Sequence, residues 1–316
     1  MPSKNPLIIA HRGASGYLPE HTLAAKSLAY AMGADYLEQD VVASRDDHLI
    51  VLHDIHLDRV SDVSRRYPER RRDDGRYYVR DFDLAELREL RVFERRESDG
   101  ETAVYPGRFP TDKGRFGIVT LAEEIELVQG LNRSTGRSVG IYPEIKAPAW
   151  HHEHGFDLSV AVIETLQRYG YRDRQSNAFL QCFDAAEIRR IREQLQCDLK
   201  LIQLLNADFG DASAAHYAGS GEAGALRQLG QIADGIGPWV GQLYTLAEID
   251  GQPVSTGLVS AAHAAGLDVH PYTFRADALA PGFHDFDEMV VWFTRTLEID
   301  GLFTDFPDRA RAALAP

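Results

Sequence analysis

Between Leu7 and Asp54 the sequence reads LIIAHRGASGYLPEHTLAAKSLAYAMGADYLEQDVVASRDDHLIVLHD, and its chemistry-bearing side chains sit where apolar runs end. His11 and Arg12 close LIIA, and His53 closes LIVL. Such short apolar runs suit strands buried on both faces. In YLEQDVV the side chains alternate between faces, so Glu38 and Asp40 point the same way and Leu37 and Gln39 the other. Two carboxylates on one face of a buried strand cannot both stay ionised without a cation, and their neighbours Leu37, Val41 and Val42 speak against a solvated face. Further on, VGIYPEIKAP repeats the i,i+2 spacing with Glu144 and Lys146. Alone, that pair reads equally well as a salt bridge across a barrel. Beside Glu38 and Asp40, Glu144 becomes a third anionic ligand and Lys146 a fixed cation for an anionic ligand.

An all-oxygen donor set suits one hard divalent cation, Ca2+ or Mg2+, rather than zinc. His11 and His53 suit proton transfer, because an imidazole accepts or donates near neutral pH without a large shift. Arg12 would add fixed positive charge with bidentate geometry.

The elements that must hold these residues alternate. Thr22 caps a first helix, with Leu23, Lys26 and Leu28 to Met32 following, and Thr120 caps LAEEIELVQGL. FDLSVAVIETLQRYG and AAEIRRIREQL read as helices, with others expected near 222–232, 256–265 and 286–297. AFLQCFD, KLIQLL, ADGIGPW, LDVHPYTF and DGLFTD read as strands. Repetition of this kind calls for parallel pairing with right-handed crossovers, and eight units favour a closed (β/α)8 TIM barrel over an open sheet. Its active site would lie at the carboxyl ends of the strands, where all of these residues fall. One domain over residues 1–316 fits that length. Residues 55–117, after the second strand region, interrupt the alternation and read as a small inserted subdomain. They hold 15 Lys and Arg against 14 Asp and Glu, which points to a salt-bridged solvated surface rather than a nucleic-acid patch. LAELREL, 84–90, is expected to be a short helix. The insertion could shape the pocket or an oligomer contact, such as that of a homodimer.

Apolar content of 44% supports a sizeable core, and a net charge of −14 disfavours nucleic acid and anionic membrane surfaces as partners. An anionic substrate therefore needs a local cationic pocket. No apolar run approaches the ~18 residues of a membrane span. Cys182 and Cys197 are expected to be buried free thiols. HHEH at 151–154 is read as a polar loop rather than a zinc site, and AGSGEAG at 218–224 as a linker rather than a phosphate loop. Trp239 sits at a strand end, where a pocket wall and plain core packing are equal readings.

HRGASGYLPEHT, YLEQDV and LHD resemble the glycerophosphodiester phosphodiesterase family, most closely its periplasmic bacterial branch, and YPEIKAP, LQCFDA, ADGIGP, VHPYT and DGLFTDFPD extend the likeness over nearly the whole chain. The resemblance implies Ca2+ as the cation at Glu38, Asp40 and Glu144. It also implies hydrolysis of a small glycerophosphodiester, such as glycerophosphocholine or glycerophosphoethanolamine, to glycerol 3-phosphate and an alcohol, with a cyclic phosphate between the steps. The two histidines would divide the acid and base roles. Spacing leaves the division open, and His11 is taken as base and His53 as acid. Tyr272 and Phe306, near strand ends, are candidates to line the pocket for the alcohol portions. Two other readings are a lysophospholipase D-like phosphodiesterase and a non-catalytic barrel that binds the same class of ligand. MPSKNP is too short and polar to be a signal peptide. The resemblance implies a periplasmic location for a mature form, with the cytoplasm as the alternative.

Overall fold

The computed structural model describes residues 5–206 and 223–315. Among them, eight parallel strands form the barrel: β1 (Leu7–Ala10), β2 (Tyr36–Ala43), β3 (Gly140–Ile145), β4 (Phe179–Cys182), β5 (Lys200–Leu205), β6 (Gly235–Pro238), β7 (Asp268–Val269) and β8 (Gly301–Thr304). Their order is β7-β6-β5-β4-β3-β2-β1-β8. Backbone bonds close the remaining gap, from Asp300 N–H to the Val269 carbonyl at 3.0 Å and from Phe274 N–H to the Phe303 carbonyl at 2.8 Å. The closed (β/α)8 barrel expected from the alternation is the observed architecture.

The period-two alternation divides the interior along its axis. Ile9, Tyr36, Tyr142, Phe179, Ile202 and Phe303 pack together inside the barrel. Tyr142 stacks on Phe179 with centroids 4.8 Å apart and meets Phe303 edge-on at 5.0 Å. Burying each such ring is worth about 1.5–3 kcal/mol, so this floor holds the strands in register. Two residues further along the same faces come His11, Glu38, Glu144, Gln181 and Asp305. The charged ring therefore stands directly on the apolar floor. Outward-facing residues such as Ile8, Leu37, Ile141, Leu180 and Leu201 pack instead with the surrounding helices.

Helix α1 (Leu23–Ala31) begins as expected, with the Thr22 hydroxyl accepting from Ala25 N–H at 3.2 Å. Thr120 and Glu123 form a reciprocal capping box at the start of α2 (Leu121–Thr135). Lys26 of α1 and Glu124 of α2 are fully buried and pair at 2.8 Å, and the same ammonium donates to the Glu38 carbonyl. Two helices are thus fastened to the strand that carries two of the three carboxylates.

Three local readings differ from the structure. LIV of LIVLHD, Leu49–Val51, pairs antiparallel with β2, Val41 opposite Val51, because the turn between them is far too short for a parallel crossover. HHEH is not a loop: residues 148–153 form a short helix with Pro148 at its first turn, and His151 is fully buried, its Nε2 accepting from Ala43 N–H at 3.2 Å. LAELREL is helical only over Leu84–Leu87, between an Asp83 and Glu86 capping box and Arg88. AGSGEAG lies mostly outside the described residues. Both cysteines are buried free thiols. Among the described residues no helix is long and apolar enough to cross a membrane.

Within the insertion, Leu57, Val60, Val63, Tyr77, Val79, Phe82, Leu87, Leu90 and Val92 build an apolar cluster of their own, with Val42 and Ile50 from the barrel side. Its arginines are mostly paired, Arg72 with Asp81 at 2.6 Å and Arg76 with Asp58 at 2.9 Å. Exposed pairs of this kind add at most about 1 kcal/mol each. The buried Lys26–Glu124 pair is the larger risk. Lys26→Met should cost about 3–5 kcal/mol by leaving a carboxyl buried and unpaired, and a second change, Glu124→Leu, should restore most of it. Urea denaturation of the single and double variants measures both, and a single variant as stable as the wild type would remove this pair from the fold's anchors.

Candidate active site

The carboxyl ends of β1 to β4 bring the expected ligands together through register. Asp40 lies opposite Glu144, and Glu144 opposite Gln181. Side chains at facing positions of neighbouring strands stand about 5 Å apart. Ligand oxygens of Glu38, Asp40 and Glu144 lie within 4.8 Å of one another, and all three residues are at least 95% buried. Lys146 Nζ reaches Glu144 at 2.7 Å and Asp40 at 3.6 Å. Glu38 accepts from Arg12 N–H at 2.8 Å and from the Gln181 amide at 3.1 Å. His21 Nε2 meets Asp40 Oδ2 at 2.7 Å, while Asp40 Oδ1 is buried without a hydrogen-bond partner.

The electrostatics follow from that crowding. Burial and the charge of Asp40 raise the Glu38 carboxyl well above its usual range. Burial and Asp40 also raise Glu144, to about 8, against the pull of Lys146. Asp40 goes the other way: although burial opposes it, Lys146 and then His53 and His21 hold it well below its usual value. An oxygen-only donor set, an orphaned carboxylate oxygen and more negative charge than the fixed cations balance all fit a hard divalent cation. Glu38, Asp40 and Glu144 would hold it.

Each histidine has its own carboxylate. His11 Nδ1 lies 2.6 Å from Asp305 Oδ1, and His53 Nδ1 lies 2.6 Å from Asp54 Oδ1. An anionic partner at Nδ1 keeps the proton there and leaves Nε2 free to act on a substrate. Burial and Arg12 lower both imidazoles to about 4, so each is neutral before a ligand arrives. The orienting carboxylates stay ionised against their own burial. Arg275, His11 and Arg108 hold Asp305 low, and the hydrogen bond and charge of His53 together with Arg95 hold Asp54 low.

Arg12 occupies a left-handed backbone conformation, φ 58°, a costly place for a side chain with a Cβ. Its N–H bonds Glu38 and its carbonyl accepts from His21 N–H at 2.9 Å, which together impose the turn. Its guanidinium reaches Glu20 at 3.0 Å and lies 3.4 Å from Asp40. Glycines make the rest of the loop: a Cβ on Gly13 would fall 2.8 Å from the Ala25 backbone, and one on Gly16 2.4 Å from the Phe306 ring.

These groups surround a cavity of about 150 Å³ lined by His11, Arg12, Glu38, Asp40, His53 and Glu144, with Phe183, Leu204, Trp239, Tyr272 and Phe303 as its less polar wall. Trp239 is 42% exposed at this wall, so it is a pocket residue rather than core. Tyr272 fixes its hydroxyl on the Leu205 carbonyl at 2.8 Å. Phe306 lies outside that lining: it is buried beneath the Gly16 turn, edge-on to Tyr17 at 5.2 Å. Lys146 is also outside that lining, its Nζ held by Glu144 and facing the ring of the lining residue Phe183.

Asp305, Asp54, His21, Gln181 and the Glu20–Arg95 pair were not among the residues singled out from sequence. Asp305 had a usable signal, since DGLFTD is another apolar run ended by a polar group. His21 had none, for its role depends on a turn. The second acidic group with a histidine, His152, Asp157 and Glu187, is already served by Arg190, 2.6 Å from Glu187.

Comparison with known proteins agrees with this fold. The sequence model of the "Glycerophosphoryl diester phosphodiesterase family" matches residues 11–309. A glycerophosphodiester phosphodiesterase of Haemophilus influenzae is 43% identical, covering 96% of this chain and 88% of its own. One of Treponema pallidum is 37% identical, covering 96% and 90%. The crystal structure of a putative glycerophosphoryl diester phosphodiesterase from Silicibacter pomeroyi superposes with a TM-score of 0.72 at 25% identity, covering 99% of this chain and 94% of that one. A phosphodiesterase from Oleispira antarctica, solved with its product sn-glycerol-3-phosphate, has the same fold at a TM-score of 0.65 and 21% identity, covering 98% and 96%.

The raised Glu144 links cation binding to pH. Its folded pKa, about 8, exceeds the unfolded value of 4.5, so the free protein is favoured below the unfolded pKa and loses that advantage as pH rises through 8. A cation needs the ionised form and reverses the loss. The rise in Tm on adding Ca2+ or Mg2+ to chelator-treated protein should therefore be larger at about pH 8 than at about pH 5. The lowered histidines affect both scans alike and cancel in the difference. Differential scanning fluorimetry reads it, and an equal rise at both pH values would contradict the assignment of Glu144 as a ligand.

Proposed function

This chain belongs to the glycerophosphoryl diester phosphodiesterase family and is an enzyme of that hydrolytic type, and from that premise we propose that it cleaves small glycerophosphodiesters to sn-glycerol 3-phosphate and an alcohol by paired histidine catalysis. The observation that carries the reading is the two imidazoles, each held at Nδ1 by its own carboxylate, facing one cavity beside three clustered carboxylates. Glycerophosphocholine and glycerophosphoethanolamine are the substrates in view.

A phosphodiester anion repels nucleophiles, so its charge must be offset before a bond forms. Ca2+ at Glu38, Asp40 and Glu144 would supply most of that neutralisation when bound. Arg12 adds a fixed guanidinium at the cavity wall, and Lys146, beside Glu144, keeps Asp40 ionised. His11 Nε2 takes the proton of the glycerol 2-hydroxyl as its oxygen attacks phosphorus. His53 Nε2 gives a proton to the departing alcohol oxygen as the phosphorus–oxygen bond breaks. Water then opens the five-membered cyclic phosphate with the roles exchanged. Attack from within the substrate avoids the entropic cost of ordering a water. Both imidazoles start neutral, so His53 takes up the proton it donates from solvent as the anionic substrate, whose charge favours the imidazolium, binds.

His53→Ala should lower kcat about 10²- to 10⁴-fold while leaving the cation-dependent rise in Tm intact. Glu144→Gln should lose both. Steady-state rates with scanning fluorimetry separate the cases, and a loss below tenfold for His53→Ala would leave it a structural role. A 2-deoxy analogue of glycerophosphocholine should bind as a competitive inhibitor and release no choline. Release near the normal rate would show that water attacks directly.

A further inference from the structure

A second cavity, of about 180 Å³, adjoins the first, and His11, Arg12, His53 and Arg275 line both. The insertion builds its far wall, with Glu94, Arg95, Tyr105 and Arg108 among the lining residues. A diester carries two arms on one phosphorus, and two cavities meeting at two imidazoles and two guanidinium groups match that shape.

The charges around this cavity are paired, with one exception. Glu20 is held by Arg12 and Arg95, Asp54 by His53 and Arg95, and Asp305 by His11, Arg108 and Arg275. Glu94 is 3% exposed, has no ion pair among the described residues, and its Oε2 has no hydrogen-bond partner. Arg108, the cation that acts on it, is already engaged by Asp277 and Asp305. Burial and the neighbouring Glu20 and Asp305 push the Glu94 carboxyl up to about 8. A buried carboxyl in this position lacks a cation, and the ionised carboxylates near it make an incoming cation more welcome still.

We propose that this second cavity receives the alcohol arm of the diester and that Glu94 selects amino alcohols by pairing with their ammonium group. The assignment rests on the hydrolytic function proposed above and adds to it the residue that discriminates between leaving groups. An anionic head group would find arginines whose charge is already taken up by carboxylates. A neutral polyol would gain a hydrogen bond from Glu94 but none of the charge complementarity that makes ion-assisted contacts the stronger ones.

The test compares kcat/KM for glycerophosphoethanolamine and glycerophosphoglycerol in the cation-loaded enzyme. Glu94→Gln should lower the ratio of the first to the second about tenfold, mainly through KM, the scale of one charge-assisted contact. A ratio within about threefold of the wild-type value overturns the proposal. A measurement on the wild type guards against a variant that fails to fold. Choline should inhibit at least about tenfold more strongly than its uncharged isostere 3,3-dimethylbutan-1-ol, and equal inhibition by the two also overturns it. If the wild-type enzyme cleaves neither diester, the hydrolytic reading itself falls. Cleavage of both with an unmoved ratio defeats the Glu94 assignment alone.

Discussion

Three carboxylates on adjacent strands, buried within 4.8 Å of one another, are the constraint around which the rest of the structure is arranged. Like charges at this distance in a poorly solvated site repel by several kcal/mol unless a proton or a cation intervenes. The protein supplies part of the compensation and stops short of completing it. Lys146, the Arg12 backbone N–H, the Gln181 amide and His21 engage these oxygens, and one Asp40 oxygen is left over. Parallel register makes the cluster unavoidable once Asp40 faces Glu144, and the aromatic floor below prevents the strands from sliding to relieve it.

The same need for compensation explains how the insertion is attached. Arg95 joins Glu20 through both oxygens and reaches Asp54, while Arg108 joins Asp305 to Asp277. Both arginines belong to the insertion, and each reaches one carboxylate, Asp54 or Asp305, that is paired with an imidazole of the site. A segment with an apolar cluster of its own is therefore tied to the barrel through the groups that hold His11 and His53 in place. Disturbing the insertion would move the tautomers and orientations of the histidines before it moved the strands.

What was legible in the sequence was whatever depends on one element at a time. An apolar run with a charged end marks a strand and its open face, so His11, Glu38, Asp40, His53 and Glu144 could be found by alternation alone. The barrel followed from eight repetitions of strand and helix. What depends on two distant segments meeting was hidden: Asp305 is 294 residues from the histidine it orients. Phe306 shows the opposite error, because proximity to a strand end suggested a pocket wall, whereas its ring fills the space that Gly16 leaves empty. His151 was hidden for a different reason. HHEH looks polar in composition, but Pro148 starts a short helix, and one face of that helix turns His151 inward onto the edge of β2.

The depressed imidazoles reveal which state the site is built to stabilise. Were the empty site the one best served by its charges, at least one histidine beside so many carboxylates would be expected to hold a second proton. Instead burial and Arg12 keep both neutral, and the two dyad carboxylates spend their charge on arginines as well as on imidazoles. An anion arriving between Arg12 and the histidines changes that balance, because it opposes the guanidinium that disfavours the imidazolium. In the mechanism proposed above, protonation of the acid is thus coupled to occupancy by a negatively charged ligand.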